Sequence, residues 1–337
     1  MRAKPRMLLV AAGLATAGAA LLSLALGPAG IPPRRVFALI LAWLAGRAQR
    51  NAETLIVLEL RLPRILLGGL VGGGLAGAGT AFQAILRNPL ADPYVIGVSA
   101  GAGLGAALGI VLGLDLVLPG FGTVPALAFV GALATVAVVY ALARTGRTVS
   151  MASLLLSGVA VGAFLTACIS LLLVFYRRNL DEVIFWLMGS LAGRGWRQVW
   201  STIPYTLVGL AVLRVLARSL DLMTLGEENA AHLGVEVGAV KNWTLAAGSL
   251  LAAAAVAAGG VVGFVGLMVP HMARLLIGGD HRRLIPFAVL FGAAFLIVAD
   301  TVARVALSPL EIPVGVITAL CGGPFFLWLL RREGGAA

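Results

Sequence analysis

Apolar residues run along this chain in blocks about twenty residues long, broken by charges, prolines or glycine pairs. At about 1.5 Å of rise per residue, such a block crosses the roughly 30 Å hydrocarbon core of a bilayer as a helix. The pattern predicts about ten transmembrane helices, over 7–26, 65–86, 97–116, 124–142, 151–175, 200–215, 243–258, 261–277, 285–301 and 314–330. No interval between them suits a water-soluble domain, so residues 1–337 read as a single transmembrane domain of an all-α polytopic membrane protein. An even number of spans puts both termini on one side. Arg2, Lys4 and Arg6 then share that side with Arg87, Arg144, Arg147, Arg218, Lys241, Arg274, Arg282, Arg283, Arg331 and Arg332, as the positive-inside tendency favours for a cytosolic face. Arg34, Arg35, Arg47, Arg50, Arg61 and Arg64 crowd the first loop on the other side, with Arg177, Arg178, Arg194, Arg197 and Arg304. Charge bias alone therefore leaves the orientation open.

Composition sharpens this picture. Hydrophobic residues make up 60% of the chain and charged residues 12%, against about a quarter charged in soluble domains, and the mean hydropathy is +1.02. The net charge of +11 is almost wholly arginine. In a bilayer protein such charge sets topology or meets acidic partners, which argues against nucleic acid. Cys168 and Cys321 lie in apolar runs and read as packed thiols. The basic residues before 7–26 also fit a secretory leader, but the apolar run exceeds the usual leader core, and a retained helix is expected.

Two short patterns resemble catalytic motifs without their surroundings. Gly72, Gly74 and Gly77 match GxGxxG, with Asp92 near the distance of a ribose-binding acid, yet no strand precedes them. Gly69, Gly73 and Gly77 recur every fourth residue, as in a helix face that lets another backbone approach. "GVSAG" at 97–101 matches GxSxG, but the strand, turn and partner residues of a hydrolase are missing. Ser99 is instead expected to cap the third span. No GxxxxGK[ST] loop occurs, so ATP hydrolysis is not expected of this chain, and no resident cofactor or metal is expected. Ionisable residues at span centres would point to an ion pathway. Asp300 and Arg304, four apart near a helix end, read as a local ion pair.

"RLPRILLGG" from Arg61, "QAILRNPLADPYVIGVSAGAGLGA" at 83–106, "GFVGLMVPHMARLL" from Gly263, "LIVADTVAR" from Leu296 and "LEIPVGVITALCGGPFFLWLL" from Leu310 occur in this order. Together they closely resemble the FecCD-type permeases of binding-protein-dependent ABC importers for ferric siderophores, haem and cobalamin. The resemblance covers roughly 61–332, and the first 60 residues share only a hydrophobic helix and a variable loop. It implies a homodimer of ten-helix subunits in a bacterial or archaeal cytoplasmic (inner) membrane, with the path on the two-fold axis. It further implies two ABC ATPase subunits that bind ATP-Mg, one external solute-binding protein, and a metal chelate as cargo moved by alternating access.

The resemblance also assigns residues. "LDLMTLGEENAAHLGV" at 220–235 looks like the family's coupling helices, about 219–238. Leu222, Leu225, Ala230, Ala231 and Leu233 would supply an apolar face for an ATPase groove, with Gly226 and Gly234 at the turns. Glu227, Glu228 and Asn229 would start a helix whose dipole favours their charge. An ordinary solvated loop has the same composition. Arg87, Asn88 and Pro89, with His271 and Arg274, would support that interface from the cytosol. Arg61, Arg64 and Arg304 match the docking positions that meet acidic residues of the binding protein, where guanidinium holds carboxylate through paired bonds. Membrane-interface anchoring is the competing reading. The helix 151–175 and the following "RRNLDEVIFWLMGSL" resemble the pathway helix and an external gate helix. Gly158, Gly162 and Ala163 keep one stripe small, for a passage or for tight packing, and Ser157, Thr166 and Ser170 are candidate cargo contacts. The rivals are an ion-coupled secondary carrier of a polar solute and, more remotely, a membrane-embedded enzyme.

Overall fold

The computed structural model describes residues 5–27, 30–47, 49, 51–114, 122–145 and 148–334. Arg2, Lys4, Arg50 and Arg147 lie outside the described residues, as does the expected end of the third span at 116. Helix α1 (Pro5–Ala25) is followed by α2 (Pro33–Leu44) and α3 (Ala52–Thr54), which passes through a π-helical stretch, Leu55–Arg61, into α4 (Leu62–Ile85). A 3-10 turn, Pro93–Ile96, leads to α5 (Val98–Val111) and then α6 (Thr123–Ala143). After these come α7 (Met151–Phe175), α8 (Leu180–Leu187), α9 (Trp196–Met223), α10 (Glu227–His232) and α11 (Val237–Gly259). The last helices are α12 (Val265–Ile277), α13 (His281–Val305) and α14 (Val314–Gly334). A two-residue antiparallel ladder, Arg144–Thr145 against Thr148–Val149, sits between α6 and α7.

Length and apolar composition allow α1, α6, α7, α9, α11 and α13 to cross a membrane, while α5 and α12 are shorter apolar helices. The chain is thus an all-α polytopic membrane protein. Its axis is α4, whose 24 residues extend about 36 Å and are buried along nearly their whole length. Around it pack α9, α11, α12 and α13. Lipid tails are as apolar as leucine, so close backbone approach rather than hydrophobic exclusion must hold such helices together. Gly72 and Gly79 provide it: a Cβ at Gly72 would overlap the Gly292 carbonyl of α13, and one at Gly79 would overlap the Gly266 carbonyl of α12. The stripe Gly69, Gly73 and Gly77 also faces other helices, more loosely at Gly69, where a Cβ would lie 3.6 Å from the Ile297 side chain. The GxGxxG match is therefore part of a packing face in mid-helix. Gly79→Ala is expected to destabilise the protein by about 2 kcal/mol or more, because a backbone rather than a flexible side chain must move. Thermal unfolding in detergent checks this; unchanged stability would show that α12 is free to retreat.

The helical content before α4 exceeds the expectation of a loop. Asn51 Oδ1 accepts the Thr54 amide and hydroxyl, both at 2.8 Å, a side-chain cap that starts helical structure well ahead of the apolar block at 65–86. Glu53, Glu59, Arg61 and Arg64 interrupt the hydropathy pattern there, yet Arg61 and Arg64 lie on the helix and turn inward. Helix α5 starts with Gly97 at φ 83, and no side chain caps it. Ser99 lies inside the helix and is not its cap, which corrects the expectation for "GVSAG". Between α11 and α12, the chain runs irregularly from Gly260 to Phe264. Irregular backbone buried among apolar helices needs hydrogen bonds supplied by the protein. The Ser190 amide donates to the Gly259 carbonyl at 2.8 Å, and the Tyr94 hydroxyl donates to the Val262 carbonyl at 3.2 Å.

Candidate functional site

Charged and polar groups gather at the two ends of α4. At its C-terminal end, α9 stops at Met223, Gly226 turns with φ 113, and α10 begins at Glu227, as expected from the sequence. Ala230 is fully buried and anchors this short helix. Leu225 and Leu233 remain 60% and 59% exposed, with Ala231 exposed between them. The open apolar edge is therefore narrower than expected: Ala230 faces the core and Leu222 is half-buried. Glu228, Asn229 and Gly234 are exposed, and Gly234 turns the chain out of α10 with φ 83.

Glu227 tethers this element. It accepts a bond from Lys241 Nζ of α11 at 2.5 Å and pairs with Arg87 Nη2 at 3.5 Å. Arg87, Asn88 and Pro89 are exposed, and Asn88 Oδ1 accepts the Leu90 amide at 2.8 Å. The sequence reading missed a second tie, in which Asp221 Oδ1 takes the His281 amide at 2.8 Å and lies 2.6 Å from its Nδ1. It joins the end of α9 to the start of α13, and Asp280, capping Arg282, marks that start in the sequence. His271 corrects an expectation: it is buried, with its ring 6.2 Å from that of Phe325, so it packs inside rather than forming a cytosolic surface. Arg274 is half-buried, while Leu275 and Leu276 beside it are exposed.

Asp92 braces the link from this end to α5, its Oδ1 accepting the Tyr94 amide at 2.7 Å. Burial pushes its carboxyl up to about 6, against the opposing effect of that amide bond. The folded value lies above the unfolded value of about 3.9, so stability from this group falls as pH rises between about 4 and 6. Asp92→Asn is expected to flatten that slope in thermal unfolding, and an unaltered slope would contradict it.

At the N-terminal end of α4, Arg64 meets two acids. Its Nε and Nη2 donate to both oxygens of Asp300 at 2.9 to 3.1 Å, and Nη1 donates to Glu311 Oε2 at 2.9 Å. Arg304 Nε lies 3.2 Å from Asp300 Oδ2, the local pair expected from the sequence, and its Nη2 donates to Ser23 Oγ at 2.7 Å. Arg61 Nη1 donates to the Leu24 carbonyl at 3.0 Å. All three arginines are buried. These guanidinium groups line a recessed cavity of about 410 Å³, together with Ile56, Leu60, Gly193, Arg194 and Glu311. In the loop before α9, burial lowers the pKa of Arg194.

Helix α7 shows mostly exposed faces, with Leu156, Phe164 and Phe175 all more than two-thirds exposed. Thr166 and Ser170 are exposed, their hydroxyls bonded back to Gly162 and Thr166 carbonyls. Ser157 is half-buried. Gly158 is buried, and a Cβ there would overlap the Val95 carbonyl, while one at Gly162 would lie 4.0 Å from Gly97. These glycines seat α7 on the 3-10 turn, which corrects Gly158 as a pathway residue. The stretch that the resemblance assigns to a gate helix contains α8, a separate short helix.

The sequence model described as the FecCD transport family matches residues 8–332. The chain is 47% identical over 276 residues to the cobalamin import system permease BtuC of Halobacterium salinarum, covering 82% of this chain and 73% of that one. It is 40% identical over 321 residues to the Fe(3+) dicitrate transport system permease FecD of Escherichia coli, covering 95% and 96%. A solved metal-chelate type ABC transporter in an inward-facing conformation superposes with a TM-score of 0.85 at 31% identity, covering 98% of this chain and 100% of that one.

Proposed function

The chain belongs to the FecCD transport family, and we propose that it is the membrane-spanning permease of an ATP-driven, binding-protein-dependent importer of a metal chelate. In this reading it works as a homodimer in the cytoplasmic membrane, with two ABC ATPase subunits on the α10 side and a solute-binding protein on the side of the arginine cavity. One observation carries it: a helix of six residues, α10, is pinned by Glu227 to Arg87 and Lys241 while Leu225, Ala231 and Leu233 stay open to solvent. A short rigid knob with an apolar tip suits a groove on a partner. Its ties to α4, α9 and α11 give a push on it a route into the membrane helices. ATP binding and hydrolysis outside the chain would shift those helices between inward-open and outward-open arrangements.

The relatives are named for cobalamin and for Fe(3+) dicitrate, and the cargo proposed here is a chelate of that broad class. The test is ATP hydrolysis by the reconstituted complex when binding protein loaded with ferric citrate, a ferric siderophore, haem or cobalamin is added. One loaded form is expected to stimulate hydrolysis severalfold over the empty protein. Equal rates with every form would remove the reading.

A further inference from the structure

The two carboxylates on Arg64 differ sharply in access. The Asp300 side chain is 3% exposed and takes Nε and Nη2 from inside the protein, whereas that of Glu311 is 37% exposed and takes Nη1 from the cavity side. Among the described residues lining the cavity, Arg61, Arg64, Arg194 and Arg304 face the single acid Glu311. With Asp300 beneath, guanidinium groups outnumber carboxylates four to two. Arg61 is 4% exposed and its Nη2 is buried with no hydrogen-bond partner, as is Arg194 Nε. Buried cationic donors without partners are costly, so a site of this kind is relieved by a further anion. A carboxylate suits it best, since guanidinium groups bind it in paired, directional bonds.

We propose that Glu311 is an exchangeable internal counter-ion, holding Arg64 while the outer face is empty and yielding it to a carboxylate side chain of the docking solute-binding protein. The inference rests on the docking reading above. Exchange of one carboxylate for another leaves the bonds to Arg64 Nη1 unchanged in number, so the cavity opens to a partner whose acid arrives in register. The incoming group also meets Arg61 and Arg194, which Glu311 leaves without full partners. Glu311 stands just before α14, whose Gly315 amide bonds the Gly189 carbonyl at 3.3 Å. Docking would therefore release a contact at the start of that helix.

The test uses the whole complex in lipid nanodiscs, titrated with the importer's purified solute-binding protein without cargo. Glu311→Gln keeps the size and removes the competing charge. It is expected to tighten docking by about threefold to tenfold and to steepen its dependence on salt. Glu311→Ala should act in the same direction. Unchanged or weaker docking in both variants would overturn the proposal. Arg61→Glu combined with Arg194→Glu separates the two levels. If it abolishes docking while Glu311→Gln has no effect, the exchange alone is wrong. If it leaves docking intact, the docking reading itself fails. Ferric citrate titrated without binding protein is expected to bind both forms equally. A gain confined to Glu311→Gln with this small carboxylate would make cargo, and not the partner protein, the source of the anion, and would overturn the proposal.

Discussion

Asp300→Ala is expected to cost about 3–5 kcal/mol of stability, enough to remove most correctly folded protein from the membrane. Asp300 is the buried acid that compensates Arg64 and lies 3.2 Å from Arg304 as well. Its loss leaves both cations with reduced compensation in a region where solvation cannot replace it, and breaking one partner of a buried pair is far worse than removing the pair. Arg64 keeps only Glu311, and Arg304 keeps the Ser23 hydroxyl and carbonyl. Size-exclusion chromatography and thermal unfolding in detergent measure the loss. The double replacement Asp300→Leu with Arg64→Leu is expected to recover only the share due to Arg64, since Arg304 still lacks its acid. If Asp300→Ala unfolds at the wild-type temperature, water must reach this cluster freely.

The second large effect is expected at the opposite end. Leu225→Asp with Leu233→Asp should weaken binding of the ATPase subunits by about a hundredfold or more while leaving the fold unaltered. Both leucines are exposed in the free chain, so a charge there costs the isolated protein little. In a partner groove each leucine would contribute about 1.5 kcal/mol or more on burial, and a buried aspartate adds a desolvation penalty. Two such losses total about 3 kcal/mol, slightly more than the roughly 2.8 kcal/mol that a hundredfold represents at about 1.4 kcal/mol per tenfold. Co-purification of tagged ATPase subunits with the permease reads the result. Retained binding with both aspartates in place would move the motor contact elsewhere. Glu227→Gln should act differently, sparing affinity but lowering the stimulation of ATP hydrolysis, because it loosens the tie to Arg87 and Lys241 without touching the apolar tip.

Much of this layout is legible in the sequence because a bilayer forces it. Runs such as 151–175 and 124–142 reappear within a residue at each end as α7 and α6, since apolar length is the requirement for crossing. The start of α10 at Glu227 was legible for another reason: a glycine followed by acids marks a helix beginning. What hydropathy hides is polar structure carried on helices. Residues 52–61 contain charges that mimic a loop, and only the cap at Asn51 hints that Arg61 and Arg64 ride a helix and face inward. The partners of Arg64 lie 236 and 247 positions away, a distance that local pattern cannot bridge. The stripe of Gly158 and Gly162 was ambiguous in principle, because small residues serve a passage and a tight contact equally well. Only the position of the Val95 carbonyl decides for Gly158. His271 was placed at the cytosolic surface by the resemblance alone, and the ring of Phe325 beside it comes from the far end of the chain.

The account depends on the energy for transport arriving from outside the chain, and proteoliposomes test that most directly. Uptake of a labelled chelate would be followed with the permease alone under imposed proton and sodium gradients, and then with ATPase subunits, ATP and loaded binding protein added. The account predicts no accumulation in the first case and ATP-dependent accumulation in the second. Accumulation by the permease alone, driven by either gradient, would contradict it and favour an ion-coupled carrier.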